Sequence, residues 1–305
     1  MYNPGIAAPR HGNSMNRRPL RSQLIALLLG ALALGAAVAA RPAAAPPFFF
    51  IQLTDPQMGM YAANADVAQE TANLEFAVAT VNRLRPAFVI VTGDLVNRAG
   101  DPTQIAAYRR IMARVDSTIP VYNAPGNHDV GNEPTPATLE AYTSRFGHDH
   151  FSFRHGDFAG IVLDSQLLHS PEKAQEEAAE QDRWFSGELD RARRGGARHV
   201  VLFLHHPLFV KDPGEADSYD NIPRERRAAY LSLLHQAGVR HVFAGHYHRD
   251  ALARDGETEM VTSGPIGMPL GGGKSGLRVV TVSDAGLEHR YYDLGELPAK
   301  VTLPR

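Results

Sequence analysis

FFFIQLTDPQ, residues 48–57, changes character at its middle. Four bulky apolar side chains, Phe48 to Ile51, lead into Thr54, Asp55, Pro56 and Gln57. A short apolar run bounded by a polar stop reads as a buried strand. An acid directly after such a strand reaches into a crevice at the strand's carboxyl end. Two positions beyond Asp55, where a second strong metal donor would stand, the chain has a glutamine. On its own the stretch reads as half a metal site, a modified one, or an ordinary turn.

The same punctuation recurs along the chain. Further β-like runs lie at 88–92, 121–124, 159–163, 200–204 and 241–244. The run at 88–92 is followed by Gly93-Asp94, and that at 121–124 by Pro125-Gly126-Asn127-His128-Asp129. Residues 200–204 run into His205-His206-Pro207, and 241–244 into Gly245-His246-Tyr247-His248. Helical periodicity over about 66–84, 103–115, 138–146, 173–194 and 224–237 separates these runs, with Asp66 as a helix cap and Gly238 as a helix stop. After 260 the β-like runs 260–263, 277–282 and 289–292 follow without helices between them. This order predicts an α/β fold, a layered sheet with helices outside, closed by antiparallel strands.

Parallel strands bring their carboxyl ends to one edge, so five strand ends would converge in one crevice. Taken singly, an Asp after a strand is a turn former or helix cap, Gly-Asp is a common turn and Asn-His can cap a helix. His-x-His is stronger, because alternate residues of an extended segment can face one cation. A structural explanation of all five strand ends at once is hard to find, and the functional reading prevails.

In order and spacing, Asp55-x-Gln57, Gly93-Asp94, Gly126-Asn127-His128-Asp129, His205-x-Pro207 and Gly245-His246-x-His248 resemble the calcineurin-like metallophosphoesterases. The resemblance spans roughly residues 48–295. TDPQ, GDLVN, GNHDVGNEPTP and AGHYHR resemble a narrower branch, the calcineurin-like phosphoesterase domain-containing proteins, also called complete S-transactivated proteins. The resemblance implies a metallophosphoesterase four-layer sandwich of two facing mixed β-sheets flanked by helices. It implies two divalent or trivalent metal ions, drawn from Mn, Fe or Zn. Asp55, Asp94, His248 and Gln57 would hold one of them, and Asp94, Asn127, His205 and His246 the other. Gln57 falls where most of the wider family has a ligating histidine. His206 would pack beside the ligands. His128 would face the substrate, oriented by Asp129.

The implied activity is hydrolysis of phosphate monoesters, on a small molecule or a phosphoprotein, with two metals clamping the phosphate and activating a water. Rival readings are a phosphodiesterase with the same centre and a catalytically silent metal- or phosphate-binding protein. Three other features carry less. GMPLGGGKS at 267–275 is one residue too long for a phosphate loop and leads into a strand-like run. His148-Asp149-His150 reads as a solvated turn, and the charged stretch around Trp184 as a solvent-facing helix with one apolar side.

Composition limits the alternatives. With 305 residues, 44% hydrophobic, the chain can bury a large core over a domain at about 48–300. It has no cysteine, so any metal is held by oxygen and nitrogen. Residues 1–40 carry four arginines and no acid, then an apolar run from Leu24 to Val38 and small residues. That order reads as a cleaved signal for export to the periplasm or outside the cell, and Arg17-Arg18 is compatible with a twin-arginine route. The run is shorter than the roughly 20 residues that span a bilayer, so no stable membrane span is expected after cleavage. The rest of the chain then has 27 basic against 33 acidic residues, a net charge of −6. With no basic stripe, extended nucleic-acid binding is not expected. No feature specifies an oligomeric state.

Overall fold

The computed structural model describes residues 45–304, and the expected leader lies outside the described residues. The chain runs β1 (Phe48–Leu53), α1 (Ala68–Leu84), β2 (Val89–Thr92), α2 (Pro102–Met112) and β3 (Val121–Ala124). A single turn, α3 (Asn127–Val130), precedes α4 (Pro136–Phe146), β4 (Phe151–His155) and β5 (Phe158–Val162). The short α5 (Gln166–His169) and the long α6 (Gln175–Arg194) lead to β6 (His199–Phe203), α7 (Arg224–Ala237) and β7 (His241–Ala244). Four strands close the chain: β8 (Ala251–Asp255), β9 (Thr258–Thr262), β10 (Gly276–Ser283) and β11 (Gly286–Asp293).

The strands form two mixed sheets, ordered β11-β10-β1-β2-β3 and β4-β5-β6-β7-β9-β8. In the first, β1, β2 and β3 are parallel, with Leu53 beside Val91 and Thr92 beside Ala124. In the second, β5, β6, β7 and β9 are parallel, with Phe203 beside Phe243 and Ala244 beside Thr262. The carboxyl ends that bear the conspicuous polar residues are thereby gathered within each sheet.

Strand periodicity explains the layers. Phe48 and Phe50 point one way from β1 and Phe49, Ile51 and Leu53 the other, as alternate residues of a strand must. Phe48, Phe50, Phe88 and Ile90 meet Phe158, Val201, Phe203 and Phe243 in the layer between the sheets. Phe50 stacks on Phe88 at 4.7 Å and meets Phe203 edge-on at 5.7 Å, and each such buried ring stabilises the fold by about 1.5–3 kcal/mol. The outer face of the first sheet packs against α1 and α2, and that of the second against α6 and α7. Gln52 continues the inward series where an apolar residue would be expected. Its amide donates to Thr92 Oγ1 (2.9 Å) and the Ala244 carbonyl (3.1 Å) and accepts from Ser263 Oγ (2.6 Å). The inter-sheet layer is thus apolar along most of its length and polar where the strands end.

The expected α/β sandwich is the observed one, with local differences. The edge strands β4 and β8 were not anticipated; each places most of its side chains in partial or full exposure, which blurs the apolar pattern. The helix cap falls at Val67 and not at Asp66, whose carboxylate accepts the Ala68 N–H (2.9 Å) from one position further out. The Gly-rich stretch at 267–275 leads into β10, as a turn would. Of His148-Asp149-His150, expected as a solvated turn, only His148 is exposed. His150 pairs with Asp149 at 3.0 Å, their side chains are only 15% and 18% exposed, and Trp184 covers the imidazole edge-on at 4.9 Å. Among the described residues no helix is long and apolar enough to cross a membrane.

Asp164, just after β5, is fully buried. Gln181 clamps its main chain from α6, while the carboxylate accepts only the Gln166 N–H (2.8 Å) and leaves Oδ2 without a partner among the described residues. Burial, reinforced by Asp149, pushes this carboxyl up to about 8. The folded protein therefore holds a proton between about pH 4 and 8 that the unfolded chain releases. The corresponding stabilisation is complete below pH 4 and is lost as pH rises towards 8. We predict that Asp164→Asn, which keeps the acceptor and cannot ionise, gains about 5 °C in melting temperature relative to the unsubstituted protein on going from pH 5 to 9, the equivalent of roughly 2 kcal/mol. Parallel curves for the two proteins over that range would contradict the assignment.

Candidate metal centre

Asp55, Gln57, Asp94, Asn127, His205, His246 and His248 are all buried at the strand ends. Five of them, Asp55, Gln57, Asp94, His246 and His248, adopt positive φ between 40° and 66°. Outside glycine this backbone region costs about 1–3 kcal/mol and persists where the surroundings enforce it. Here the enforcement is main-chain bonding beyond the strands: Asp55 N–H donates to the Gly93 carbonyl (3.2 Å) and Gln57 N–H to the Asp94 carbonyl (2.7 Å). Gly245 N–H likewise donates to the His205 carbonyl (3.0 Å). Two glycines permit the crowding. A Cβ on Gly126 would lie 2.2 Å from Asp94 Oδ1, and one on Gly245 only 1.8 Å from Thr54 Oγ1.

Two groups of donors result. Asp55, Asp94 and His248 bring ligand atoms within 4.8 Å of one another, and so do His205, His206 and His246. Asp94 links the groups, because its Oδ1 lies 3.3 Å from His205 Nε2. The same His205 nitrogen lies 3.1 Å from Asn127 Oδ1 and 3.2 Å from His246 Nδ1.

The outer hydrogen bonds decide which ring nitrogen faces inward. His205 Nδ1 donates to the Thr92 carbonyl (2.9 Å), His246 Nε2 to the Tyr219 carbonyl (2.9 Å), and His248 Nδ1 to the Met268 carbonyl (2.6 Å). In each neutral ring the opposite nitrogen is left with a lone pair directed into the centre. Both N–H groups of Asn127 are also engaged outward, on Asn132 Oδ1 (3.0 Å) and Tyr219 Oη (2.9 Å). Its carbonyl oxygen is therefore the atom turned inward. Lone pairs facing lone pairs at 3.1–3.3 Å repel unless positive charge lies between them. Burial works against a charge on His205, yet the Asp94 and Asp55 carboxylates outweigh it and lift the imidazole to about 9. A proton there occupies the role that a cation would take. The donor set thus fits bound metal.

Gln57 donates through Nε2 to Asn97 Oδ1 (3.1 Å), and its buried Oε1 has no partner among the described residues. An oxygen in that state is one that a cation would satisfy. His206 differs from the other imidazoles. Its outer partner is a hydroxyl and not a carbonyl: Ser165 Oγ accepts the His206 main-chain N–H (2.9 Å) and lies 3.1 Å from His206 Nδ1. His206 stacks on His246 at 3.8 Å as a neighbour.

The structure corrects the pairing of His128 with Asp129. Asp129 accepts the main-chain N–H groups of Gly126 (2.9 Å), Leu95 (3.0 Å) and Val96 (3.2 Å). One turn of helix folds its short side chain back onto the start of α3, away from the imidazole. It ties the loop bearing Asp94 to the loop bearing Asn127, and burial beside Asp94 pushes its carboxyl up to about 7. His128 is oriented instead by the Asn97 carbonyl, 2.7 Å from Nδ1, and its main-chain N–H donates to Asp94 Oδ1 (2.9 Å).

Sequence reasoning missed Tyr219, Asn97, Asn132 and the Met268 carbonyl. Asn97 lies within the GDLVN wording, which offered a signal. Tyr219 and Met268 lie in loops with no readable pattern.

Residues 50–250 match the sequence profile of the calcineurin-like phosphoesterases. A serine/threonine-protein phosphatase CPPED1 from Bos taurus is 39% identical over 269 residues, covering 83% of this chain and 86% of the relative. The Homo sapiens protein of the same name is 37% identical over 270 residues, with the same coverage. Among solved structures, a dimetal phosphatase from Danio rerio aligns with a TM-score of 0.58 at 17% identity, over 81% of this chain and 99% of that one, a likeness of fold.

Proposed function

Because the chain belongs to the calcineurin-like phosphoesterase family, we propose that it is a dinuclear metal-dependent phosphatase that hydrolyses phosphate monoesters, with phosphoserine and phosphothreonine proteins as the favoured substrate class. The observation that carries this reading is the convergence of Asn127 Oδ1, His246 Nδ1 and Asp94 Oδ1 on His205 Nε2, with Asp94 also standing in the group of Asp55 and His248. Relatives named as serine/threonine-protein phosphatases support the substrate class.

Asp55, Gln57, Asp94 and His248 would hold one cation, and Asp94, Asn127, His205 and His246 the other. When bound, such a pair polarises phosphoryl oxygens and lowers the pKa of water for in-line attack on phosphorus. Asp94 offers its charge to both positions, while the neutral Asn127, Gln57 and imidazoles complete the shells without excess negative charge. Gln57, an oxygen donor in place of imidazole, would tilt its position towards harder divalent cations, Mn²⁺ or Mg²⁺. His128 spends Nδ1 on Asn97, so Nε2 is the nitrogen that meets substrate. In the protonated ring that nitrogen delivers a proton to the departing oxygen.

Metal counting after loading with Mn²⁺, Zn²⁺ or Fe, coupled to a panel of phosphopeptides, small monoesters and diesters, tests the reading. Two cations per chain with monoester turnover are expected. One tight cation and no turnover would identify a silent binding protein, and turnover confined to diesters a phosphodiesterase. We further predict that His128→Asn keeps both cations and lowers kcat by about 10²–10⁴-fold; an unchanged kcat would remove His128 from the chemistry.

Export belongs to the same proposal and is supported by the basic, apolar and small-residue order of residues 1–40. The mature protein is expected to begin after Ala40 or Ala45, and amino-terminal sequencing of exported material that found residues 1–40 intact would contradict this.

A further inference from the structure

The segment between β6 and α7 is long, and internal bonds hold it rigid. The Glu215 carboxylate accepts N–H groups from Val210 (2.8 Å), Lys211 (2.9 Å) and Asp212 (3.2 Å), and also the Asn221 amide (2.7 Å). From α7 the buried Arg227 guanidinium donates to the carbonyls of Pro213 (3.0 Å), Glu215 (2.9 Å) and Ile222 (2.9 Å). Ile222 N–H closes the loop on the Pro207 carbonyl (3.0 Å). A loop fastened in this way holds its outermost residues in place, and one of them is Tyr219.

Tyr219 is 54% exposed, yet it touches two of the four donors proposed for the second cation, Asn127 and His246. Its hydroxyl accepts from Asn127 Nδ2 (2.9 Å) and its carbonyl accepts from His246 Nε2 (2.9 Å), while its ring lies 4.7 Å from the His246 ring. The hydroxyl contact matters because an amide can present either end. With Nδ2 engaged by Tyr219 and Asn132, Oδ1 faces His205 Nε2. Without the hydroxyl one amide hydrogen loses its partner, and rotation of the amide is resisted only by Asn132. No motif of the chain marks Tyr219.

Resting on the dinuclear reading above, we propose that Tyr219 is a positioning residue for the second cation: its hydroxyl fixes the Asn127 amide with the oxygen inward, and its carbonyl fixes the His246 tautomer. The side chain thereby sets how tightly one of the two cations is held, from outside the shell that holds it.

Tyr219→Phe removes the hydroxyl and keeps the ring and the carbonyl. On the full chain stripped by chelator and titrated with Mn²⁺ by calorimetry, the unsubstituted protein should show two binding steps. Tyr219→Phe should weaken one step by about 10–100-fold, as expected for loss of an outer-shell partner, and leave the other unchanged. Asp55→Asn, run in parallel, should weaken the step that Tyr219→Phe spares. Turnover of Tyr219→Phe should fall at low Mn²⁺ and return at saturating Mn²⁺ with KM unchanged, a rescue that general loosening of the fold would not give. Unchanged binding steps, equal weakening of both, or a turnover loss that Mn²⁺ does not restore would each overturn the proposal. Should the unsubstituted protein bind fewer than two cations, the dinuclear reading fails first and this inference falls with it.

Discussion

Asp94→Asn is expected to lower kcat/KM by about a thousandfold, the equivalent of roughly 4 kcal/mol of lost transition-state stabilisation, and to abolish joint binding of two cations. On the proposed reading, Asp94 is the carboxylate that both cations would share. It stands in one group with Asp55 and His248, and its Oδ1 lies 3.3 Å from His205 Nε2 of the other. Asparagine preserves the shape and can still accept the His128 N–H, which Asp94 receives at 2.9 Å. It cannot offer a negative charge to two positions at once, so the mutual repulsion of two cations would go uncompensated. Metal content and kcat/KM measured on one preparation check this, and activity within tenfold of the unsubstituted enzyme would show that Asp94 does not bridge.

Gly126→Ala is expected to damage both the fold and the metal centre. The added Cβ would sit 2.2 Å from Asp94 Oδ1 and 2.3 Å from Asp94 N. A side-chain oxygen can rotate aside, but the main-chain nitrogen is less free, because it stands two residues past the end of a strand paired on both sides. The loop bearing Asn127 must then move away from Asp94. Overpacking of this kind costs about 2–3 kcal/mol, a fall of roughly 5–10 °C in melting temperature. A displacement of about 1 Å between catalytic groups costs roughly 10²-fold in turnover. Gly273→Ala, whose Cβ would meet nothing closer than 3.6 Å, serves as the control and should change neither quantity. Equal behaviour of the two variants would remove close approach as the reason for glycine at 126.

Much of this architecture is legible in the chain. The alternation of Phe48 to Leu53, the stop at Thr54 and the helical periodicity between runs are local properties, and the observed strands follow them. The edge strands β4 and β8 escaped because an edge strand exposes most of its side chains and loses the apolar signature. The assignment of strands to two sheets was also invisible, since an apolar run does not state its neighbour. Asp129 was also misjudged. The family resemblance implied that it orients His128, but a turn of helix hands Asp129 to three main-chain N–H groups.

By itself the sequence determined which donor types stand at the strand ends and in what order, because strand, stop and side-chain chemistry are read within a few residues. Only the tertiary structure decided which atom of each donor faces the centre. The carbonyls of Thr92, Tyr219 and Met268 select the inward nitrogens of His205, His246 and His248, and Tyr219 and Asn132 together turn the Asn127 oxygen inward. Each of those carbonyls, like the Tyr219 hydroxyl, is brought in from a segment remote in the chain. An imidazole or an amide presents either end equally well until such a partner fixes it, so the orientation of the donors is a property of the folded molecule alone.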